Sequence, residues 1–256
     1  MTLPDIFLAR PIAHRGFHDG TRGAIENAPA AIRAAIAAGY GIEIDLQLSA
    51  DGAAMVFHDY RLDRLTAESG PVRQRSAAEL GRTALRGSGG ETIPTLEEVL
   101  DIVDGQVPLL IEIKDQDGAL GPGTGALEAA TAAALAGYAG PVAVMSFNPH
   151  AVAAFAEAAP DVPRGLTTCS FPAEHWGGLP RDRAARLRGI PDFERVGASF
   201  VSHRAGDLDR PRLAELKTGG AGILCWTIRS PEAEAEARRI ADNITFEGYR
   251  PTGSAA

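Results

Sequence analysis

The chain has 256 residues, of which 45% are apolar and 23% charged, with a formal net charge of -8. That composition excludes a disordered or fibrous chain, and the acidic balance argues against a protein that grips a nucleic-acid backbone. Length allows one barrel of repeated strand and helix units, which needs about 250 residues.

Two cysteines, Cys169 and Cys225, stand far apart and give neither a disulfide framework nor a zinc knuckle; both read as reduced, buried thiols. Residues 1–10 show no basic start followed by an apolar run, so no signal peptide is expected and the cytoplasm is the default. The one long stretch of low charge, Ala129 to Met145, is broken by Gly137, Gly140 and Pro141 and suits a helix, a turn and a strand, so no stable membrane insertion is expected. Nothing in the sequence sets an oligomeric state.

Taken in order, Pro11 to Ala13 reads as a short buried strand ending at His14, followed by a Gly-rich loop. Asn27 is placed to cap a helix with Pro29 in its first turn, Ile32, Ala35 and Ile36 on one face and Gly39 past its end. From Tyr40 to Leu48 the pattern alternates, with Ile42, Ile44, Leu46 and Leu48 on one face and Glu43, Asp45 and Gln47 on the other. A surface strand and a barrel strand at an active-site mouth share that pattern. Asp51-Gly52 marks a hairpin turn, and Met55 to Phe57 a short strand that delivers His58.

The rhythm breaks from about Tyr60 to Pro94, a glycine- and arginine-containing stretch that reads as an insertion at the mouth of the fold. It resumes with Thr95 capping a helix, a strand at 109–114, an alanine-rich helix at 125–136, and a strand at 142–147 with its helix. Weaker units fill 165–217, and better-marked strands lie at 222–227 and 243–246 with a helix between them. Strands alternating with helices pair in parallel through right-handed crossovers. Eight main strands predict a closed (β/α)8 TIM barrel, one domain over 1–256 with a small insertion at about 60–94 after the second strand.

In such a barrel the reactive groups sit where strands end. His14 ends the first strand, Glu43 and Asp45 lie late in the second, and Glu112 and Lys114 end the strand at 109–114. Glu43 and Asp45 are two apart, so their side chains share a face, and crowded carboxylates need a proton or a hard cation with oxygen ligands. Glu112 would add a third ligand; solvated charge on an edge strand is the competing account. His14 and His58 each follow a strand and can exchange protons near neutrality. Arg15 and Lys114 supply charge suited to a phosphodiester, or else pair with the carboxylates. Trp226, late in its strand, either packs on substrate or fills the barrel. His203 is a further candidate, and Arg229 is expected to pair with Glu232 on the following helix.

The run Ile12-Ala13-His14-Arg15-Gly16, with Glu26-Asn27, Gly41 to Asp45, Asp51-Gly52, Val56 to Asp59 and Leu62-Asp63-Arg64, resembles the glycerophosphodiester phosphodiesterases. Pro94 to Leu100, Glu112-Ile113-Lys114, Ser146-Phe147-Asn148 and Trp226-Thr227 resemble later segments of that family. The resemblance implies a metal-dependent phosphodiesterase barrel that hydrolyses a small-molecule glycerophosphodiester to glycerol 3-phosphate and an alcohol. It implies His14 and His58 as the acid and base, Glu43, Asp45 and Glu112 as ligands of magnesium or calcium, and Arg15 and Lys114 as the phosphate clamp. Two positions depart from it: Ala28 stands where the family usually has Thr, and Arg229 follows Ile228 where Asn is usual after Trp-Thr. Two other outcomes stay open, a lysophospholipase D or lyase acting on lysophospholipids, and a binding protein that lost the chemistry.

Overall fold

The computed structural model describes residues 2–251. In chain order its elements are α1 (Ile6–Ala9), β1 (Ile12–Ala13), α2 (Pro29–Ala38), β2 (Gly41–Leu48), β3 (Ala54–Val56), α3 (Ala77–Leu80), α4 (Leu96–Val103), β4 (Leu109–Ile113), α5 (Ala126–Leu135), β5 (Val142–Ser146) and α6 (Pro149–Ala158). There follow β6 (Arg164–Thr168), α7 (Arg181–Arg188), β7 (Phe200–Arg204), α8 (Pro211–Thr218), β8 (Gly222–Ile228), α9 (Pro231–Ala237) and β9 (Asn243–Phe246). The sheet order β1-β9-β8-β7-β6-β5-β4-β2-β3, with a further β1–β2 pairing, closes eight parallel strands into a barrel. β3 lies outside the ring, antiparallel to β2. The eightfold barrel expected from the strand count is therefore present. Met1 and residues 252–256, the ends of the expected 1–256 domain, lie outside the described residues.

The alternation in β2 decides which residues meet the helices and which meet the barrel interior. Ile42, Ile44 and Leu46 join Ile32 and Ala35 of α2 and Val99 and Val103 of α4 in the main apolar core between sheet and helices. Glu43 and Asp45 take the opposite face, where both are buried, which rules out the surface-strand alternative. α4 begins as its sequence indicates: the Thr95 hydroxyl accepts from the Glu98 N–H and the Glu98 carboxylate accepts from the Thr95 N–H. α2 does not begin as expected. Its N-cap is Ala28 with no side-chain cap, because Asn27 turns its amide toward β2.

The barrel floor is apolar. Ile12, Leu110, Ala143, Met145, Phe200 and Leu224 from five strands pack with Leu3 and Phe7, so α1 lies beneath the barrel. The Asn243 side-chain amide holds α1 there, donating to the Phe7 and Arg10 carbonyl oxygens at 2.7 and 2.6 Å. Phe200 fits only because β6 offers Gly165 beside it: a Cβ at that position would stand 2.5 Å from the Phe200 ring.

Residues 57–94 leave the barrel after β3 and return at α4. They contain α3, two 3-10 turns (Leu62–Arg64 and Val72–Gln74) and isolated bridges, and they enclose a small core of their own. Leu62, Val72, Leu80, Leu85 and Ile93 pack there with Met55, Phe57, Ile25 and Ala28. Phe57 roots the next residue, His58, in this second core.

Gly165→Ala forces the Phe200 ring or the strand to shift and is expected to cost about 1–3 kcal/mol. Urea unfolding measures it; an unchanged midpoint would show that the ring has room to move.

Candidate active site

At the C-terminal ends of β2 and β4, Asp45 and Glu112 are paired in register, with Glu43 one pleat deeper. Ligand oxygens of Glu43, Asp45 and Glu112 lie within 4.8 Å of one another, and all three residues are buried. At that separation two ionised carboxylates repel by about 3 kcal/mol or more at an effective dielectric near 20. Burial, and then the charges of Asp45 and Glu112, push the Glu43 carboxyl well above the usual range. Asp45 goes the other way: burial raises it, but Lys114, His58 and Arg15 outweigh burial and hold it far below the usual range. Three acids face two cations, so an all-oxygen donor set with residual negative charge remains. That set fits one hard divalent cation.

The two cations are engaged with these acids. Lys114 Nζ lies 2.7 Å from Asp45 Oδ1 and 2.6 Å from Glu112 Oε1. Arg15 reaches Asp45 Oδ2 through Nε at 3.1 Å and Glu26 Oε1 through Nη1 at 2.8 Å. Carboxylate pairing, the second of the two roles open to Lys114 in the sequence, is the one present here. Arg15 has a left-handed backbone, with φ of 54°, and Gly16 follows at 77°. This turn lets the Arg15 N–H donate to Glu43 Oε2 at 2.9 Å, and a Cβ at Gly16 would strike Ala31 at 2.9 Å. Asn27, also left-handed at 61°, donates its amide to Asp45 Oδ2 at 2.9 Å while its carbonyl oxygen accepts the Asp45 N–H at 3.2 Å. The Glu-Asn pair thus braces the acidic cluster instead of capping α2.

Each of the two candidate histidines is held by a carboxylate. His14 Nδ1 lies 2.5 Å from Glu247 Oε2, at the end of β9, and His58 Nδ1 lies 2.7 Å from Asp59 Oδ1. Burial lowers the His14 pKa by more than the Glu247 contact raises it. Arg64 bridges Asp59 to Glu26, donating to Asp59 Oδ2 at 2.6 Å and to Glu26 Oε1 at 2.7 Å, and so links the insertion to the first loop. Glu247, directly after β9, carries no local sign of a site role. Its neighbour Phe246 packs on Tyr40 and Phe17, whereas Glu247 binds His14; no local pattern pairs residues 233 positions apart. Arg229 does not pair with Glu232. Its Nε and Nη2 each lie 2.7 Å from Glu247 Oε1, because the ends of the neighbouring strands β8 and β9 stand side by side, with Ile228 paired to Phe246.

Two connected cavities occupy the mouth. The inner one, about 160 Å³, is lined by His14, Arg15, Glu43, His58, Glu112 and Lys114, with Thr167 and Thr245 at its base. Both threonine hydroxyls are buried there without a hydrogen-bond partner among the described residues. The outer cleft, about 950 Å³, runs from His58, Tyr60 and Arg64 past Lys114 to Trp176, Arg204 and Trp226. His58, Glu112, Lys114, Phe147, Trp226, Thr227 and Arg229 line both, whereas His14 lines the inner cavity. Trp226 therefore faces the cleft; its Nε1 donates to the Ser202 carbonyl oxygen at 3.1 Å and its ring meets Phe147 edge-on at 5.5 Å. His203 takes no place in either cavity. It is fully buried on the outer face of β7, with Nδ1 2.6 Å from the Thr168 hydroxyl.

The family model described as the glycerophosphoryl diester phosphodiesterase family matches residues 14–244. YhdW of Bacillus subtilis (strain 168), whose name assigns it provisionally to the glycerophosphodiester phosphodiesterases, is 30% identical over 238 residues, 90% of each chain. A glycerophosphodiester phosphodiesterase of Bacillus altitudinis is 36% identical over 113 residues, 42% of this chain and 45% of that one. Among solved structures, an Oleispira antarctica phosphodiesterase in complex with the product sn-glycerol-3-phosphate superposes with a TM-score of 0.77 at 25% identity, covering 94% of this chain and 93% of that one. A barrel with this acidic cluster and these two histidines at its mouth, matched along nearly its whole length, belongs to the glycerophosphoryl diester phosphodiesterase family.

Proposed function

We propose that the chain hydrolyses a small-molecule glycerophosphodiester to glycerol 3-phosphate and an alcohol, with His14 as base and His58 as acid. The observation that carries the assignment is the division of the mouth into two cavities: His14 lines the inner one and His58 lines both. A phosphate at their junction puts the glycerol side next to His14 and the leaving alcohol, in the outer cleft, next to His58. Because burial keeps the His14 ring neutral near neutrality, its Nε2 can take the proton of the attacking hydroxyl while Nδ1 stays on Glu247. His58, oriented by Asp59, gives a proton to the leaving oxygen.

Glu43, Asp45 and Glu112 would hold the divalent cation, magnesium or calcium, which when bound neutralises phosphate charge and lowers the pKa of the nucleophile. Arg15 and Lys114 line the same cavity and would hold phosphate oxygens there. Trp226 would form one wall for the substrate. We propose a single working domain, since the acidic cluster, both histidines and the residue 57–94 insertion meet at one mouth. No helix among the described residues is long and apolar enough to cross a membrane. The cytoplasm is the compartment proposed, supported by two buried cysteines that remain free thiols.

His14→Ala and His58→Ala are each expected to lower turnover of glycerophosphocholine at least about a hundredfold, with calorimetric magnesium binding retained. Phosphorus NMR reads glycerol 3-phosphate formation directly, and near-normal turnover in both variants would sink the assignment. Chelation should abolish activity, with magnesium or calcium restoring it; indifference to chelator removes the cation from the reaction. The acid limb of the kcat/KM profile should fall below the ordinary histidine value of 6.5. Glu247 raises the His14 pKa, so Glu247→Gln should move that limb to still lower pH, and an upward move would contradict His14 as the base.

A further inference from the structure

Among the described residues a second group of three potential ligand atoms stands beside the acidic cluster: His14, His18 and Glu247, again within 4.8 Å of one another. We propose that these residues form a distinct site for a borderline-soft divalent ion of the zinc type, and that its occupation inhibits the enzyme. Two imidazole nitrogens and one carboxylate select zinc-like ions, whereas the all-carboxylate set of Glu43, Asp45 and Glu112 suits magnesium or calcium.

The geometry is close to what such an ion requires. With bonds of about 2.0–2.1 Å, neighbouring ligand atoms around a tetrahedral zinc stand about 3.3 Å apart. The His14 Nδ1–Glu247 Oε2 and His18 Nε2–Glu247 Oε2 distances, 2.5 and 3.7 Å, bracket that value. His18 Nε2 is also a buried nitrogen with no hydrogen-bond partner among the described residues, facing Glu247 Oε2 at 3.7 Å. The backbone fixes all three residues: His14 N–H donates to Phe246 O, His18 N–H to Gly16 O and Glu247 N–H to Ile228 O, at 2.9, 2.9 and 3.0 Å. Arg229 engages only Oε1 of Glu247, which leaves Oε2 for the ion. The side chains are 12%, 25% and 20% exposed, so an ion can reach the group from solvent.

Inhibition follows from the tautomer of one ring. A metal on Nδ1 of His14 uses the lone pair of that nitrogen, and the neutral ring then carries its single proton on Nε2. That nitrogen can no longer accept a proton from the nucleophile. The inhibitory half of the proposal rests on His14 being the base; the binding half does not.

The test titrates magnesium-saturated protein with Zn2+ by calorimetry and with Co2+ by visible absorption, in wild type, His18→Ala and His18→Gln. Wild type is expected to take up one zinc that excess magnesium does not displace, and to give the d–d bands of nitrogen-ligated cobalt. Both variants should bind zinc more weakly by more than about tenfold, the loss that even an outer-shell change brings, and should resist zinc inhibition by the same factor while keeping magnesium-supported turnover. Equal zinc affinity in wild type and variants, or displacement of zinc by magnesium, overturns the site. Zinc bound through His18 without inhibition overturns the inhibitory half. Cobalt bands that depend on His18 in a protein that hydrolyses no glycerophosphodiester would instead count against the proposed function and leave the site standing.

Discussion

Three buried carboxylates within 4.8 Å of one another are the constraint to which the rest of the mouth answers. Such a cluster is unstable in an apolar barrel unless cations and N–H donors surround it. The surroundings supply both. Lys114 lies against Asp45 and Glu112, Arg15 against Asp45, the Arg15 N–H on Glu43, and the Asn27 amide on Asp45. Two of these partners adopt left-handed backbone to reach their positions, a conformation that non-glycine residues adopt only when the surrounding structure fixes it. The strain at Arg15 and Asn27 is the local consequence of holding charge where the fold alone would place apolar atoms.

Outside this cluster lies a ring of ion pairs that ties the mouth together. Arg64 joins Glu26 to Asp59, and Arg229 and His14 share Glu247. Each links segments distant in sequence, so each histidine owes its orientation to a residue supplied by a different part of the chain or by its own neighbour. An imidazole with Nδ1 fixed to a carboxylate presents Nε2 in one direction, and that is how two flexible side chains come to face a common cavity.

β2, β4, β5, β8 and β9 were legible because each alternates or runs apolar over enough residues to show its period, whereas β6 and β7 showed only as weaker units; the acidic residues of β2 fell on one face by the same count. Thr95 with Glu98 was legible as a cap because both partners lie within one turn. Where the sequence misled, the competing interaction was long-range. Asn27 has the chemistry of a cap, but Asp45, 18 positions away, takes its amide. Arg229 has an acidic neighbour in Glu232, but strand closure brings Glu247 closer. His203 follows Val201-Ser202 much as His14 follows Ile12-Ala13, but it lies within β7, whose register turns it to the helix side. Lys114 was legible as a cation of the site, while its engagement with two carboxylates depended on the β2–β4 pairing.

The small core beneath residues 57–94 gives the mouth a divided construction. His14 and the three acids stand on the barrel, packed from below by α1 and the floor, whereas His58, Tyr60 and Arg64 stand on Leu62, Val72, Leu80 and Ile93. Mutation in the packing beneath the second group reshapes one bank of the outer cleft without touching the residues that line the inner cavity from the barrel. A lineage carrying this fold can therefore change which alcohols its cleft admits by drift in the packing of one appended segment, while the barrel side of the inner chamber is inherited intact.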